Sequence, residues 1–463
     1  MTGRQALLPV IPETVTVHLG APDSAAENVV VSFPDYIKNV ASSEIYPTWP
    51  EAAIRANLYA QISFALNRIY TEYYRSRGYD FDITNDTSID QSFVKNRDVF
   101  DNISRIVDDI FTSYIVRQGF VEPLFAAYCD GNRTRCEGLS QWGSVPLAEE
   151  GLSAFEILTR YYGDDISLVE NAPIAATSES VPPVPLSFGS FGNDVRQVQL
   201  RLNRIARNYP AIPLITPPDG VYDQRTEDAV RAFQRIFNLT EDGIVGRATW
   251  YRIIYIANAV KRLNEVVSEG VTFADVEAPL DETLSLGSSG DFVEIVQYFL
   301  QTISAFTSTI PRPPLDSIYG QTTADAVRAF QREWGLPETG EVDLVTWNLL
   351  FDVFRADVAT VPGNVFSSVA KPFPGVPLRV GSRGDDVRDL QGYIDRIAED
   401  FPAIPRVAVD GIFGNATQDA VFVLQEGAGL PVTGVVDVST WELIARIYDT
   451  LQGGGEREPV PFA

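Results

Sequence analysis

The residue whose setting suggests chemistry is Glu44. It lies in the short polar turn Ser42-Ser43-Glu44, between an apolar run ending at Val40-Ala41 and a long helical pattern, with Tyr46, Trp49 and Tyr59 close behind. A carboxyl among aromatic rings loses hydration and holds its proton towards neutral pH. Such a group can protonate a leaving oxygen and afterwards reclaim a proton, as general acid and then general base. By position alone Glu44 reads as a solvated turn residue, as most glutamates are. A second group of interest is Gly138-Leu139-Ser140-Gln141-Trp142-Gly143, where hydroxyl, amide and indole stand side by side. These can hydrogen-bond and stack on a polar ring, and they serve equally well as a tight structural turn.

Elements on both sides must hold Glu44 in place. Thr48 and Glu51 have capping-box spacing with Pro50 in the first turn, and Ile54, Leu58, Ile62, Leu66 and Ile69 predict one apolar face of an amphipathic helix ending near Arg77-Gly78. Upstream, Thr14–Leu19 and Val29–Phe33 are rich in β-branched residues and predict two strands. His18 within the first of them reads as structural. Downstream, the spacing from Phe100 through Ile103, Ile106-Val107 and Ile110-Phe111 to Tyr114-Ile115 predicts a helix, and Leu124–Tyr128 a strand. Ser153 and Glu156 form a second capping box. The N-terminal part is therefore expected to be α+β. The polar stretch from Tyr79 to Phe93 offers Asp90 and Gln91 as weaker candidates. Cys129 and Cys136 bracket an eight-residue loop and read either as a disulfide or as free thiols; with His18 the only histidine, they cannot complete a zinc site.

The order Ile37–Pro50, continued by Ile54–Gln61, resembles the opening motif of the stage II sporulation protein D family, and residues 138–143 resemble its Gly-Met-Ser-Gln-Trp-Gly run. Residues 10–165 look like the catalytic domain of clostridial spore cortex-lytic enzymes within that family. The resemblance implies a peptidoglycan lytic transglycosylase with Glu44 as its catalytic acid and base. It implies substrate binding by Tyr46, Trp49, Ser140, Gln141 and Trp142. Ordinary glycosidases need two carboxylates; a transglycosylase needs one, because the muramic 6-hydroxyl attacks within its own sugar. Some relatives bind zinc through Cys and His, but the corresponding stretch near Asp86–Phe93 has neither. No metal and no cofactor are expected. The family's histidine before Ser-Gln falls at about Arg135, which leaves the Glu in place without that proton shuttle.

After the Pro/Ser/Ala stretch 171–185 the text repeats three times. Gly189-Ser-Phe-Gly192, Gly287-Ser-Ser-Gly290 and Gly381-Ser-Arg-Gly384 open the copies. Asp219-Gly220, Asp316-Ser317 and Asp410-Gly411 lie mid-copy, 31 residues before Trp250, Trp347 and Trp441 in every case. A constant period means duplicated structural units, each read as three short helices. The Gly-x-x-Gly-x-x-Val, Thr-x-x-Ala-Val-x-x-Phe-Gln and Thr-Trp signatures resemble the peptidoglycan-binding domain of wall hydrolases, with departures at Ser317 and Leu424. The three tryptophans read chiefly as core residues. Gln234, Gln331 and Gln425 read as fold supports or as sugar ligands.

The expected organisation is a multidomain chain: a catalytic domain at 1–170, a linker at 171–185, repeats at 186–262, 284–357 and 378–450 with linkers at 263–283 and 358–377, and a flexible tail at 451–463. A net charge of −26 without a basic block disfavours nucleic acid and anionic membranes as partners. No apolar run is long enough to span a bilayer. The N-terminus, interrupted by Pro9 and Pro12, is not a signal-peptide pattern. The expected partner is peptidoglycan, in spore cortex or cell wall. By analogy with clostridial enzymes matured by removal of a pro-region, an activating protease is a further partner, and the chain is expected to begin near a mature N-terminus. The alternative reading is a non-catalytic wall-binding protein that scaffolds or stimulates another hydrolase. An amidase or peptidase is disfavoured, since no Cys-His, Ser-His or metal-type cluster stands out.

Overall fold

The computed structural model describes residues 8–177, 179–276, 280, 283–360 and 369–453. The glycine-rich tail after Gly453, expected to be disordered, lies outside the described residues, as do parts of the 263–283 and 358–377 stretches. The chain divides into two compact units. The first comprises Met1–Ser190, Gln197–Pro218 and Tyr222–Val276; the second comprises Phe191–Arg196, Asp219–Val221 and Glu277–Ala463.

The N-terminal region mixes helices with small sheets. β-Branched residues in the first hundred positions form β2 (Thr14–His18) and β3 (Asn28–Ser32), paired antiparallel with Val15 opposite Val31 and Val17 opposite Val29. Strand β4 (Ile83–Thr84) adds to β2 in parallel, while β1 (Ile11–Pro12) pairs with β9 (Ile174–Ala175). Helices α1 (Phe33–Glu44), α2 (Glu51–Tyr70) and α3 (Asp101–Ile110) follow, then β5 (Tyr114–Arg117), which pairs antiparallel with β8 (Ile166–Val169). Between them run β6 (Tyr128–Cys129), β7 (Leu139–Ser140), α4 (Gln141–Glu149) and α5 (Ala154–Tyr162).

Helix α2 is the axis of this region. It is not the one-faced amphipathic helix that the spacing predicts: it is buried along nearly its whole length from Ala53 to Arg68, because α1, α3, α4, α5 and β5 pack around it. Ala53, Ala56, Ala60 and Ala65 permit that close approach, and each buried polar side chain has a partner. Asn57 Nδ2 donates to Ala53 O and to Ser144 Oγ, and Ser63 Oγ accepts the Ile115 amide. The expected Thr48–Glu51 capping box does not form. Pro50 is the N-cap, without a side-chain cap, and Glu51 instead pairs with Arg55 at 2.8 Å. The helix also stops earlier than Gly78: it ends at Tyr70, where Glu72 at φ 47° lets the Tyr73 amide reach back to Arg68 O. Similarly Tyr114-Ile115 leave the predicted helix and become β5. The Ser153–Glu156 capping box is formed in full.

Each repeat contains the three expected helices. They are α6 (Asn193–Ala206), α7 (Gln224–Ile236) and α8 (Arg247–Lys261); after the short α9 (Phe273–Val276), α10 (Asp291–Phe306), α11 (Gln321–Glu333) and α12 (Leu344–Ala359); then α13 (Asp385–Asp400), α14 (Asn415–Ala428) and α15 (Val438–Gly453). Trp250, Trp347 and Trp441 are buried core residues. Ser317 takes the same left-handed conformation (φ 58°) as Gly220 and Gly411, so the second copy keeps the turn without its glycine. In the first unit, the stretch after α8 packs onto the N-terminal region. Asn67 Nδ2 donates to Leu263 O at 2.9 Å, Arg117 to Val266 O at 3.0 Å, and the Val271 amide to the buried Glu122 carboxylate at 2.6 Å. Burial pushes Glu122 up to about 7. In the second unit, the last two repeats share one continuous core, with Phe373 between them.

The repeated glutamines are structural clamps. Gln425 Nε2, with two hydrogens to give, lies within hydrogen-bond distance of Val435 O (2.9 Å), Thr440 Oγ1 (3.1 Å) and Thr433 Oγ1 (3.2 Å), and its Oε1 accepts the Thr433 and Gly434 amides at 2.9 Å each. Gln234 and Gln331 accept the Gly243 and Gly340 amides in the same way. Removing the side-chain amide strands buried donors, each costing about 1–3 kcal/mol. Gln425→Leu is therefore expected to destabilise the second unit by roughly 2–4 kcal/mol, read by calorimetry; an unchanged unfolding transition overturns the clamp.

Candidate active site

Glu44 is not in a turn, as its neighbours suggest, but is the last residue of α1. Glu44 is half-buried, and its carboxyl meets donors from three separate parts of the chain. The Ser92 amide donates to Oε1 at 2.8 Å, and Gln61 Nε2 from α2 donates to Oε2 at 2.7 Å. Gln141 Nε2, at the start of α4, reaches Oε2 at 3.4 Å, and Tyr128 on β6 is near enough to influence the carboxyl's proton affinity. Burial pushes the carboxyl above its usual range; the bonds from Ser92, Gln61 and Gln141, and the nearby Tyr128, act in the opposite direction by favouring the ionised form.

Pairing of β6 with β7 explains how residues distant in sequence converge here. Tyr128 stands opposite Leu139 and Cys129 opposite Ser140, which sets Tyr128 and the start of α4 side by side. Ser140 is the N-cap of α4, its Oγ accepting the Gly143 amide at 2.9 Å. A β-carbon at Gly143 would lie 2.4 Å from Tyr161 Oη, and one at Gly138 would lie 1.8 Å from Ala127 O, so both glycines are required by close approach. Cys129 and Cys136 are joined in a disulfide. Within that loop Asp130 accepts the Asn132, Arg133 and Thr134 amides, which hold its carboxyl down at about 2.

Three rings from the residues that follow Glu44 and Gln141 gather together. Trp142 lies 5.0 Å from Trp49 and 5.4 Å from Tyr46, and Tyr46 lies 5.7 Å from Trp49, centroid to centroid. Trp49 is buried, while Tyr46 is 54% and Trp142 44% exposed. Trp49 thus supports two rings that face solvent. Exposed paired aromatics offer an apolar surface on which a ligand can pack.

Each sequence-derived candidate now has a place. Glu44, Gln141, Tyr46, Trp49 and Trp142 come together; Ser140 serves α4 as its cap. Gln91 is fully buried behind the carboxyl, donating to Gln61 O (3.0 Å) and Tyr128 Oη (3.1 Å) and accepting from Tyr36 Oη (2.9 Å). Asp90 pairs with Arg68 at 2.9 Å inside the fold. His18 bonds Asn28 at 2.7 Å and stacks on Phe81, a structural position. Arg135 is exposed on the disulfide loop. Sequence reasoning missed Gln61, Ser92 and Tyr128. Gln61 carries a signal, being a polar residue in an otherwise apolar helical stretch; the other two carry none. Among the described residues no three His, Cys, Asp or Glu side chains converge as a metal site requires, and no helix is long and apolar enough to cross a membrane.

Residues 191–253, 289–350 and 383–444 match the family described as "Putative peptidoglycan binding domain", so the three repeats are peptidoglycan-binding repeats. The chain is 31% identical over 120 residues to an N-acetylmuramoyl-L-alanine amidase, CwlM, of Mycobacterium tuberculosis, covering 26% of this chain and 25% of that protein. It is 40% identical over 68 residues to a zinc D-Ala-D-Ala carboxypeptidase of Streptomyces albus G, covering 15% and 25%. The chain thus spans about a quarter of the length of these curated relatives.

A carboxyl whose folded pKa is raised contributes stability in acid and loses it as pH rises through that value. Glutamine does not titrate. The melting temperature of Glu44→Gln minus that of the wild type is therefore expected to become more positive as pH rises from about 4 to 8. A difference that stays flat or falls across this range means that Glu44 is not held above its usual pKa.

Proposed function

We propose that the N-terminal region is a peptidoglycan lytic transglycosylase and that the repeats hold it on its polymer. The supporting observation is the setting of Glu44: a half-buried glutamate with raised proton affinity, its partner Gln141 next in sequence to Trp142, one of two solvent-facing aromatic rings. In this reading the glycan strand lies along Tyr46 and Trp142, with Ser140 and Gln141 at hydrogen-bonding distance from sugar hydroxyl or N-acetyl groups. Glu44 gives its proton to the oxygen linking N-acetylmuramic acid to N-acetylglucosamine as the bond from C1 to that oxygen breaks. The carboxylate then takes the proton of the same muramic residue's 6-hydroxyl, whose oxygen bonds to C1. A 1,6-anhydro ring closes, no water is consumed, and Glu44 ends protonated as it began.

The repeats supply residence on the polymer through effective concentration. Spore cortex, degraded during germination, is the form of peptidoglycan that the sequence resemblance adds to this reading. The amidase and carboxypeptidase names of the relatives support action on the wall in general. The described residues offer no donor set for the zinc that one of those names specifies. The repeats alone would equally suit a protein that binds wall and stimulates another hydrolase.

Mass spectrometry of purified cortex and wall after digestion separates these readings. Anhydro-muramic ends are expected from the wild type, and Glu44→Gln is expected to slow their release by about 10²–10⁴-fold. Ordinary reducing ends would mean hydrolysis; binding without any product would mean a wall-binding protein.

A further inference from the structure

Residues 132–137 of the disulfide loop are exposed, so this part of the loop builds no core. The two residues after Cys129 are different: they lie against the turn that opens α4. The Asp130 carbonyl accepts the Trp142 amide at 3.1 Å. Gly131, at φ 76°, sits so close to Ser140 that a β-carbon there would be 1.8 Å from Ser140 Oγ. Cys129 itself stands opposite Ser140 in the pairing of β6 with β7, and the Leu139 amide donates to Ala127 O at 3.1 Å. From the turn held in this way, Gln141 reaches Glu44 Oε2 at 3.4 Å, and Trp142 packs with Tyr46 and Trp49. Two devices keep Asp130 and Gly131 in place. Inside the loop, Asp130 Oδ1 accepts the amides of Asn132, Arg133 and Thr134; at its ends, the Cys129–Cys136 bond closes the ring. Opening that bond frees an exposed segment to sample many conformations, which compete with the one that presents Asp130 O to Trp142.

We propose that the Cys129–Cys136 disulfide is a positioning element of this site: it fixes Asp130 and Gly131 against the first turn of α4, and its reduction releases Gln141 from Glu44 and Trp142 from Tyr46. The result is a redox gate. The site is complete in an oxidising setting, such as the wall outside a cell, and incomplete among the thiols of a cytoplasm. The consequence for catalysis rests on the transglycosylase reading; the positioning stands on the contacts alone.

The full chain holds just these two cysteines, so a dithiol has no other disulfide to reduce. Dithiothreitol supplies two electrons and two protons: its sulfurs close into a ring as Cys129 and Cys136 become thiols. Hydrogen exchange of the Trp142 amide is then expected to speed up by about tenfold, the equivalent of one lost hydrogen bond, while amides inside α2 keep their rates. Release of anhydro ends from soluble glycan strands is expected to show KM raised by about tenfold with a smaller change in kcat. Both effects are expected to reverse on reoxidation, and Cys129→Ser/Cys136→Ser is expected to behave as the reduced chain and to ignore the dithiol. A reduced, folded chain with unchanged Trp142 exchange or unchanged KM overturns the proposal. Should reduction unfold the region, seen as faster exchange throughout α2, Gly131→Ala decides with the disulfide intact. Its added carbon must displace Ser140, so unchanged Trp142 exchange in that variant overturns the proposal. If no form of the chain releases anhydro ends, the exchange rates still decide the positioning, and it is the transglycosylase reading that fails.

Discussion

A carboxyl group drawn out of water must either collect donors or keep its proton, and the N-terminal region is built around that constraint at Glu44. Its donors are drawn from α2, from the segment after β4 and from the first turn of α4. None of these is adjacent in sequence to another. Assembling them requires α2 to be enclosed on several sides, and the alanines of α2, together with the hydrogen bonds made by Asn57, Ser63 and Asn67, make that enclosure possible. The small sheets serve the same end: β6 and β7 share only two residue pairs, yet those pairs bring Tyr128 beside the Ser-Gln-Trp turn.

The balance at Glu44 is between opposing effects of similar kind. Burial favours the neutral acid, and the donors favour the carboxylate. A group fully on either side would be a poor proton carrier, because one transfer would be easy and its reversal hard. With burial the larger effect, the carboxyl's proton affinity is raised, while the donors around it favour the ionised form. A single side chain can then serve two steps in opposite senses, as the proposed reaction demands.

What could be read from sequence follows a physical division. Periodic features were legible, because they depend on neighbours a few residues away: the strands Thr14–His18 and Asn28–Ser32, the Ser153–Glu156 box and the three helices of each repeat. Glu44 and the Ser140–Trp142 turn were legible as a motif. The donor Ser92 was not, since its role arises from a contact 48 residues away along the chain. Local rules also failed where tertiary packing outweighed them. Thr48 and Glu51 have the capping spacing, but Pro50 occupies the cap and Arg55 takes the Glu51 side chain. The end of α2 was assigned to Gly78, whereas Glu72 takes the left-handed conformation itself, its carboxylate accepting the Ser180 amide at 3.0 Å. The glutamines Gln297 and Gln391 were missed for a related reason: each clamps an aspartate turn 19 residues further on.

The repeats look alike in sequence but are not equivalent in context, and this bears on how wall binding can work. The stretch that follows the first is joined to the N-terminal region by buried and part-buried polar bonds involving Asn67, Arg117 and Glu122. The Trp250 indole of the first donates to Ser180 Oγ at 2.9 Å, and the Trp441 indole of the third donates to Lys371 O at 3.0 Å, so in both copies the tryptophan is engaged by the chain 70 residues before it. The second and third share a single core. Three freely tethered modules would each add an independent binding event to the effective concentration. Modules fused into larger bodies engage a polymer only in orientations those bodies allow, trading the number of binding geometries for a fixed register between wall contact and neighbouring structure. For the first repeat that neighbouring structure is the N-terminal region, so a peptidoglycan-binding repeat and the region that carries Glu44 belong to one compact unit.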